Sequence, residues 1–162
     1  MKGIVIADAG PVFSLALIDR LDILEEVFGE VKIAEAVWRE ITLDQSVSYY
    51  DTIYDFFENK VQKISNLNDL TFVMDEGESE SVVLYQELDA NYLLIDDMKA
   101  RKIAESLNIN CMGTLGLLAI AKERNLVVEL RPLFETFLQN KRYYGKPLLN
   151  MLLSKYDEEP IT

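Results

Sequence analysis

Short continuous apolar runs set the fold class of this chain. Ile4-Val5-Ile6-Ala7 and Tyr92-Leu93-Leu94-Ile95 have no polar alternation, so each reads as a strand buried on both faces, as in a parallel sheet. Val31 to Ile33, Asn110 to Met112 and Val127 to Leu130 are shorter strand candidates. Between them the period changes to that of a helix. Leu17, Leu21, Leu24 and Phe28 predict a helix that Gly29 ends, and Val37, Trp38 and Ile41 face inward from a short one over 35–41. Tyr50, Ile53, Tyr54 and Phe57 mark an amphipathic helix. Residues 61–76 are polar and irregular. Asp75 then opens a helix to about Leu88, and another spans Met98 to Leu107. Thr114 suits the N-cap of a helix ending near Asn125, and Pro132 and Pro147 suit the first positions of two more. Strands alternating with helices predict an α/β sandwich around a mostly parallel sheet.

Composition narrows the class without naming a function. A chain of 162 residues, 49% hydrophobic and 27% charged, can build one globular domain with a real core. No repeat, linker or low-complexity tract divides it, so the expectation is a single domain over 1–162. Its core would lie at about 3–130, with C-terminal helices at about 132–156. Against 16 basic residues stand 28 acidic ones, a net charge of −12. A basic whole-surface footprint for nucleic acid is therefore absent. Any attraction for phosphate would come from bound metal and a local basic patch. Asp8 interrupts what would be the apolar stretch of a signal peptide, and no apolar run approaches 18 residues, the length that reads as a membrane span. Cys111 stands alone, so no intrachain disulfide forms, and a reducing, cytoplasmic setting is expected.

The absence of histidine excludes Ser-His-Asp and Cys-His catalysis and His-ligated zinc. What remains is a set of carboxylates at suggestive places. Asp8 ends the first apolar run and Asp96-Asp97 ends the Tyr92 run. Ligand sites of such sheets lie just beyond the carboxyl ends of strands. Glu40 and Glu78 lie on predicted helices. Each has a bland alternative. Asp8 could only cap a turn, Glu40 could be a solvated helix carboxylate, and one of Asp96 and Asp97 could cap the next helix. Glu78 follows Asp75 at capping-box spacing. Glu80 would point about 200° away from Glu78 on a helix. It is their joint occurrence that suggests a cation site. With oxygen ligands alone, Mg²⁺ or Mn²⁺ is favoured over Zn²⁺. A phosphotransferase of the haloacid-dehalogenase type would need a second Asp two residues after Asp8, where Gly10 stands. A dinucleotide domain would need Gly-x-Gly-x-x-Gly, which the chain lacks.

These pieces, taken in order, resemble the PIN domain, the fold of toxin ribonucleases of VapC type, and more closely a prokaryotic PIN-like subfamily. The resemblance is carried by Asp8-Ala9-Gly10-Pro11, Ile18-Asp19-Arg20-Leu21-Asp22-Ile23-Leu24, Val37-Trp38-Arg39-Glu40 and Gly77-Glu78-Ser79-Glu80-Ser81. It continues through Leu94-Ile95-Asp96-Asp97-Met98-Lys99-Ala100-Arg101 and Gly113-Thr114-Leu115-Gly116-Leu117-Leu118, over roughly residues 3–130. It implies a three-layer α/β/α sandwich and an acidic site for Mg²⁺ or Mn²⁺ at one sheet edge. Asp8 matches the first acid, Glu40 the second and Glu78 the third, while Asp96 or Asp97 matches the last. Asp8, Glu78, Asp96 and Asp97 are the expected metal ligands. Lys99, Arg101 and Thr114 are candidates for holding the phosphate backbone. The implied function is a metal-dependent ribonuclease, with a toxin role beside an antitoxin as the finer expectation. The alternative is a PIN-fold module that binds RNA or a protein without cutting. A homodimer is expected from the aromatic surface at Tyr49, Tyr50 to Phe57 and Tyr143-Tyr144. Two positions depart from the common pattern: Gly10 stands where many PIN nucleases have Ser or Thr, and the third acid is Glu78 where toxin members often have Asp.

Overall fold

A computed structural model of the protein describes residues 2–162. Two compact units are formed, residues 1–114 and 115–162.

The first unit is built on a parallel sheet. Strands β1 (Gly3–Ala7), β2 (Gly29–Ala34), β3 (Val61–Gln62), β4 (Tyr92–Leu94) and β5 (Cys111–Met112) lie in the order β3-β2-β1-β4-β5. Val5, Ile6, Ala7, Leu93 and Leu94 are wholly inaccessible, as continuous apolar strands covered on both faces must be. Around the sheet run α1 (Ala9–Leu17), α2 (Asp22–Phe28), α3 (Glu35–Ile41), α4 (Tyr50–Phe57), α5 (Glu76–Glu87) and α6 (Met98–Ser106). A 3₁₀ turn, Leu70–Phe72, precedes α5. From β1 the chain moves outward through β2 to β3, then returns to β4 and continues to β5 on the other side. Right-handed crossovers running in opposite directions place helices on opposite faces, giving an α/β/α sandwich. The same reversal leaves a crevice between the carboxyl ends of β1 and β4, where Ala7 pairs with Leu94.

Several expectations met different outcomes. Helices α3 and α4 occupy the predicted spans, and α5 and α6 agree to within a residue or two. The single helix expected from Leu17 to Phe28 is two helices. Asp19, at φ 54°, breaks the chain between them, and Leu17 ends α1. Helix α1 escaped notice because Ala9, Pro11, Val12, Ser14, Leu15 and Ala16 are all buried, leaving no polar stripe to reveal the period. Strand β3, within the segment read as irregular, has two residues, too few to show alternation.

The second unit contains most of α7 (Thr114–Glu123), then α8 (Arg131–Gln139) and α9 (Lys146–Lys155). Phe134 and Phe137 are buried and stacked, their centroids 6.4 Å apart. The strand expected over Val127 to Leu130 does not form. Val128 is 83% exposed, and the Leu130 and Arg131 N–H groups donate to Glu158 at 2.9 and 2.8 Å rather than to a neighbouring strand. Glu158 also pairs with Lys122 at 3.0 Å. Pro132 and Pro147 each fall within the first two positions of their helices, where a missing N–H is harmless.

Candidate functional site

Asp8 is the first residue beyond β1, at the crevice left by the reversal of strand order. Its N–H donates to Leu94 O at 2.9 Å, which ties it to the end of β4. Its side chain accepts from the Ala9 N–H, yet the residue is 7% exposed and faces a group of like charges. Burial is the main reason its carboxyl is pushed up from the ordinary 3.8 to about 8, and Glu78, Asp75 and Glu40 add to the rise. A buried carboxylate opposed by other carboxylates is costly unless a cation or a proton joins it.

The companions come from two helices that pack together, α3 and α5. Helix α3 leaves β2 directly, so Glu40, on its second turn, stays at the same edge. The α5 N-terminus meets it through Gly77. A Cβ on Gly77 would stand 3.1 Å from Glu40 Oε2 and 3.5 Å from the Val37 side chain, so any larger residue there would push the Glu40 carboxylate aside by a few tenths of an ångström. Asp75 caps α5. Its Oδ1 accepts from the Glu78 N–H at 2.8 Å, and Glu78 Oε2 accepts from the Asp75 N–H at 3.2 Å, a complete capping box. Glu78 is raised by desolvation and by the charges of Asp75, Asp97 and Glu40; Glu40 is raised by desolvation and by Asp75. Mutual repulsion therefore joins Asp8, Glu40, Asp75, Glu78 and Asp97 into one acidic group.

Asp96 and Asp97 divide their tasks. Asp97 N-caps α6, accepting from the Ala100 N–H at 2.8 Å, while its charge reaches Glu78. Asp96 is held by Thr114: the Thr114 N–H and hydroxyl each donate to one carboxylate oxygen at 2.7 Å. Thr114 is thus the first residue of α7 and not its cap acceptor. The acceptor at that helix start is supplied by Asp96, from the end of β4. Gly113 allows the approach, since a Cβ there would lie 3.2 Å from Asp96 Oδ1 and 3.5 Å from Arg101 Nη1. Arg101 also pairs with Glu105 at 3.0 Å, and Lys99 is exposed on the first turn of α6. Glu80 lies apart from Glu78, buried, accepting from the Ala36 N–H at 3.1 Å at the start of α3.

A divalent cation is the natural partner for such a donor set, all oxygen and strongly acidic. Among the described residues, however, no three acidic or cysteine side chains stand close enough to grip an ion together as they are arranged. Asp75, Glu78 and Asp97 spend oxygens on helix caps, and Asp96 is held by Thr114. The chemistry of the set suits Mg²⁺ or Mn²⁺, which keep several waters and accept few direct protein ligands.

A family model described as a PIN domain matches residues 4–158. The chain belongs to the PIN-domain family. PIN domains are in general nucleases, and PIN nucleases typically use divalent metals. The sheet order and the acidic edge of this PIN domain accord with that membership. No curated protein and no solved structure matches the chain. Among the described residues no helix is long and apolar enough to cross a membrane.

Reading the sequence missed three contributors to this edge. Asp75 was visible only as a cap, though capping-box spacing had already placed it beside Glu78. Gly77 and Gly113 work through the side chain they lack, and no sequence pattern marks such a role.

Proposed function

We propose that this PIN domain is a Mg²⁺- or Mn²⁺-dependent endoribonuclease. The observation that carries the reading is Asp8: a nearly inaccessible carboxyl at the strand-order reversal, pushed up to about 8, with Glu78, Asp75 and Glu40 opposing its charge. Structural aspartates are not usually kept under such opposition, whereas active sites are where it is arranged.

Asp8, Glu78 and Asp97 would hold the cation, with Glu40 and Asp75 orienting its waters and Asp96 locked in place by Thr114. A bound Mg²⁺ or Mn²⁺ supplies an activated water and neutralises phosphate oxygens. Asp8 keeps a proton through neutral pH and releases it when a cation takes its place. Glu40, raised and not assigned to the cation, is suited to accept a proton from an attacking water. Lys99 and Arg101, on the first turn and a half of α6, are the cations we assign to the RNA backbone. The deciding experiment is incubation with mixed RNA and Mg²⁺ or Mn²⁺. Cleavage should stop with EDTA and be lost in Asp8→Asn, and cleavage that survives either change rejects the reading.

One observation favours a second reading, a module that binds RNA or protein without cutting: Asp75, Asp96 and Asp97 are engaged by helix starts, and among the described residues no three acids converge on one point. Titration with Mn²⁺ separates the two. The nuclease reading expects sub-millimolar binding that Asp8→Asn abolishes. A toxin role beside an antitoxin is the finer form of the nuclease reading, tested by whether expression arrests growth and whether Asp8→Asn relieves the arrest.

A further inference from the structure

The segment between β3 and α5 holds an aromatic ring where a buried one would be expected. Phe72 is 91% exposed, three residues before Asp75. It is not on a loose tether. The 3₁₀ turn that carries it is closed by the Val73 and Met74 N–H groups donating to Leu70 O, and Met74 is buried. Asn68 pins the turn to α5: its Oδ1 accepts from the Leu70 N–H at 3.2 Å, and its Nδ2 donates to Ser79 Oγ at 2.9 Å. Phe72 is therefore presented by a braced turn that packs on α5.

The same segment contributes to a groove of about 490 Å³, lined by Ile64, Asn68, Thr71, Met74, Asp75, Glu76 and Glu80. Phe72 lies in sequence between two of those lining residues. The groove is also lined by Asp75, a member of the acidic group. Three extended residues span at most about 11 Å, so Phe72 and Asp75 are within one nucleotide or two of each other. Glu76 is paired with Arg39 at 2.9 Å, both side chains more than half exposed. An exposed pair of this kind contributes little, so a phosphate can take Arg39 from Glu76. With a net charge of −12, the protein cannot rely on diffuse attraction for a polyanion. An exposed aromatic face supplies affinity for single strands that does not depend on charge.

We propose that Phe72 and Arg39 form a positioning subsite for one unpaired nucleotide flanking the scissile phosphate: the base stacks on the exposed Phe72 ring, and Arg39 holds the adjoining phosphate. The inference rests on the nuclease reading above, and deepens it by naming how the strand is placed. Phe72 is a positioning residue, since it touches no reacting atom.

The test uses the full chain with Mn²⁺ and a single-stranded RNA of about 12 nucleotides carrying 2-aminopurine. Wild type, Phe72→Ala and Phe72→Trp are compared by binding anisotropy, 2-aminopurine emission and steady-state cleavage. Because the ring is exposed, all three should melt alike. Phe72→Ala should weaken binding and raise KM by about 5- to 150-fold, leave kcat nearly unchanged and abolish the emission change. Phe72→Trp should restore all three. Equal binding by wild type and Phe72→Ala overturns the proposal, as does a change in light scattering without a change in RNA binding, which would make the patch a protein interface. If wild type cuts no RNA, the nuclease reading fails by itself, and the anisotropy and emission still decide the fate of Phe72.

Discussion

Asp8 shows how a single residue can couple stability, pH and metal. Its carboxyl rises from 3.8 in the unfolded chain to about 8 in the fold. Between about pH 4 and 8 the folded protein therefore holds a proton that the unfolded chain has lost. Stability of the metal-free protein should fall as pH climbs through that window and level off above it, and Asp8→Asn should flatten the profile. At neutral pH in EDTA, Asp8→Asn should stabilise the fold by on the order of 1 kcal/mol or more, seen as a higher melting temperature. A turn or capping aspartate would behave differently, because Asn caps as well as Asp and the substitution would then be nearly neutral. Cation and proton compete for the same oxygen, so the Mn²⁺-induced rise in melting temperature should be larger near pH 8 than near pH 5, and small in Asp8→Asn. Melts of both proteins across pH, with EDTA or Mn²⁺, check each of these signs.

At the scale of elements, the site depends on how closely two helix starts approach their partners. Gly77 sits in the first turn of α5, and Ala is the better helix former by up to about 1 kcal/mol. Yet a Cβ there meets Glu40 Oε2 at 3.1 Å. Gly77→Ala should leave the melting temperature unchanged or raised while reducing cleavage and the Mn²⁺ shift, since the flexible Glu40 carboxylate yields before the backbone does. A Gly77→Ala protein with full activity would show that Glu40 takes no part. The α7 start offers the complementary case. Thr114→Val keeps the shape but removes the hydroxyl that donates to Asp96 at 2.7 Å. The expected loss is about 1 kcal/mol, or somewhat more because Thr114 is wholly buried, measured by denaturant unfolding.

For the whole molecule, charge and aromatic surface decide its company. The sequence suggested a homodimer from the Tyr50 to Phe57 helix and Tyr143-Tyr144. In the fold Phe57 and Ile53 belong to the core, whereas Tyr54 is 39% exposed and packs against Trp38 with ring centroids 5.1 Å apart and planes tilted by 50°, and Tyr143 is 77% exposed. We expect pairing through the Trp38, Tyr50 and Tyr54 face, which light scattering at high micromolar concentration would show as twice the monomer mass. Tyr54→Glu should return it to monomer if that face is the interface. The acidic balance also predicts that RNA affinity depends on Mn²⁺ more than on salt, because few Lys or Arg side chains stand ready to displace counterions. A steep salt dependence in EDTA would contradict that.

Much of this protein is written in local pattern. The two long apolar runs determined a sheet buried on both faces, because a strand with no polar alternation has no side to give to water. Acids placed at the ends of those runs marked a candidate edge before any contact was known, because strand ends are where a parallel sheet opens. Tertiary structure decided the rest. It alone turned Asp96 toward Thr114 and Asp97 toward Glu78, a choice between neighbours that sequence spacing leaves open. It brought Asp75 into the acidic group, and it made Gly77 and Gly113 matter through atoms they do not have. It also cancelled the strand at Val127 to Leu130 by giving its donors to Glu158, twenty-eight positions on from Leu130. Periodicity reports which face of a segment is apolar, whereas burial of a charge depends on every element that closes over it. The rise at Asp8 could come only from the assembled fold.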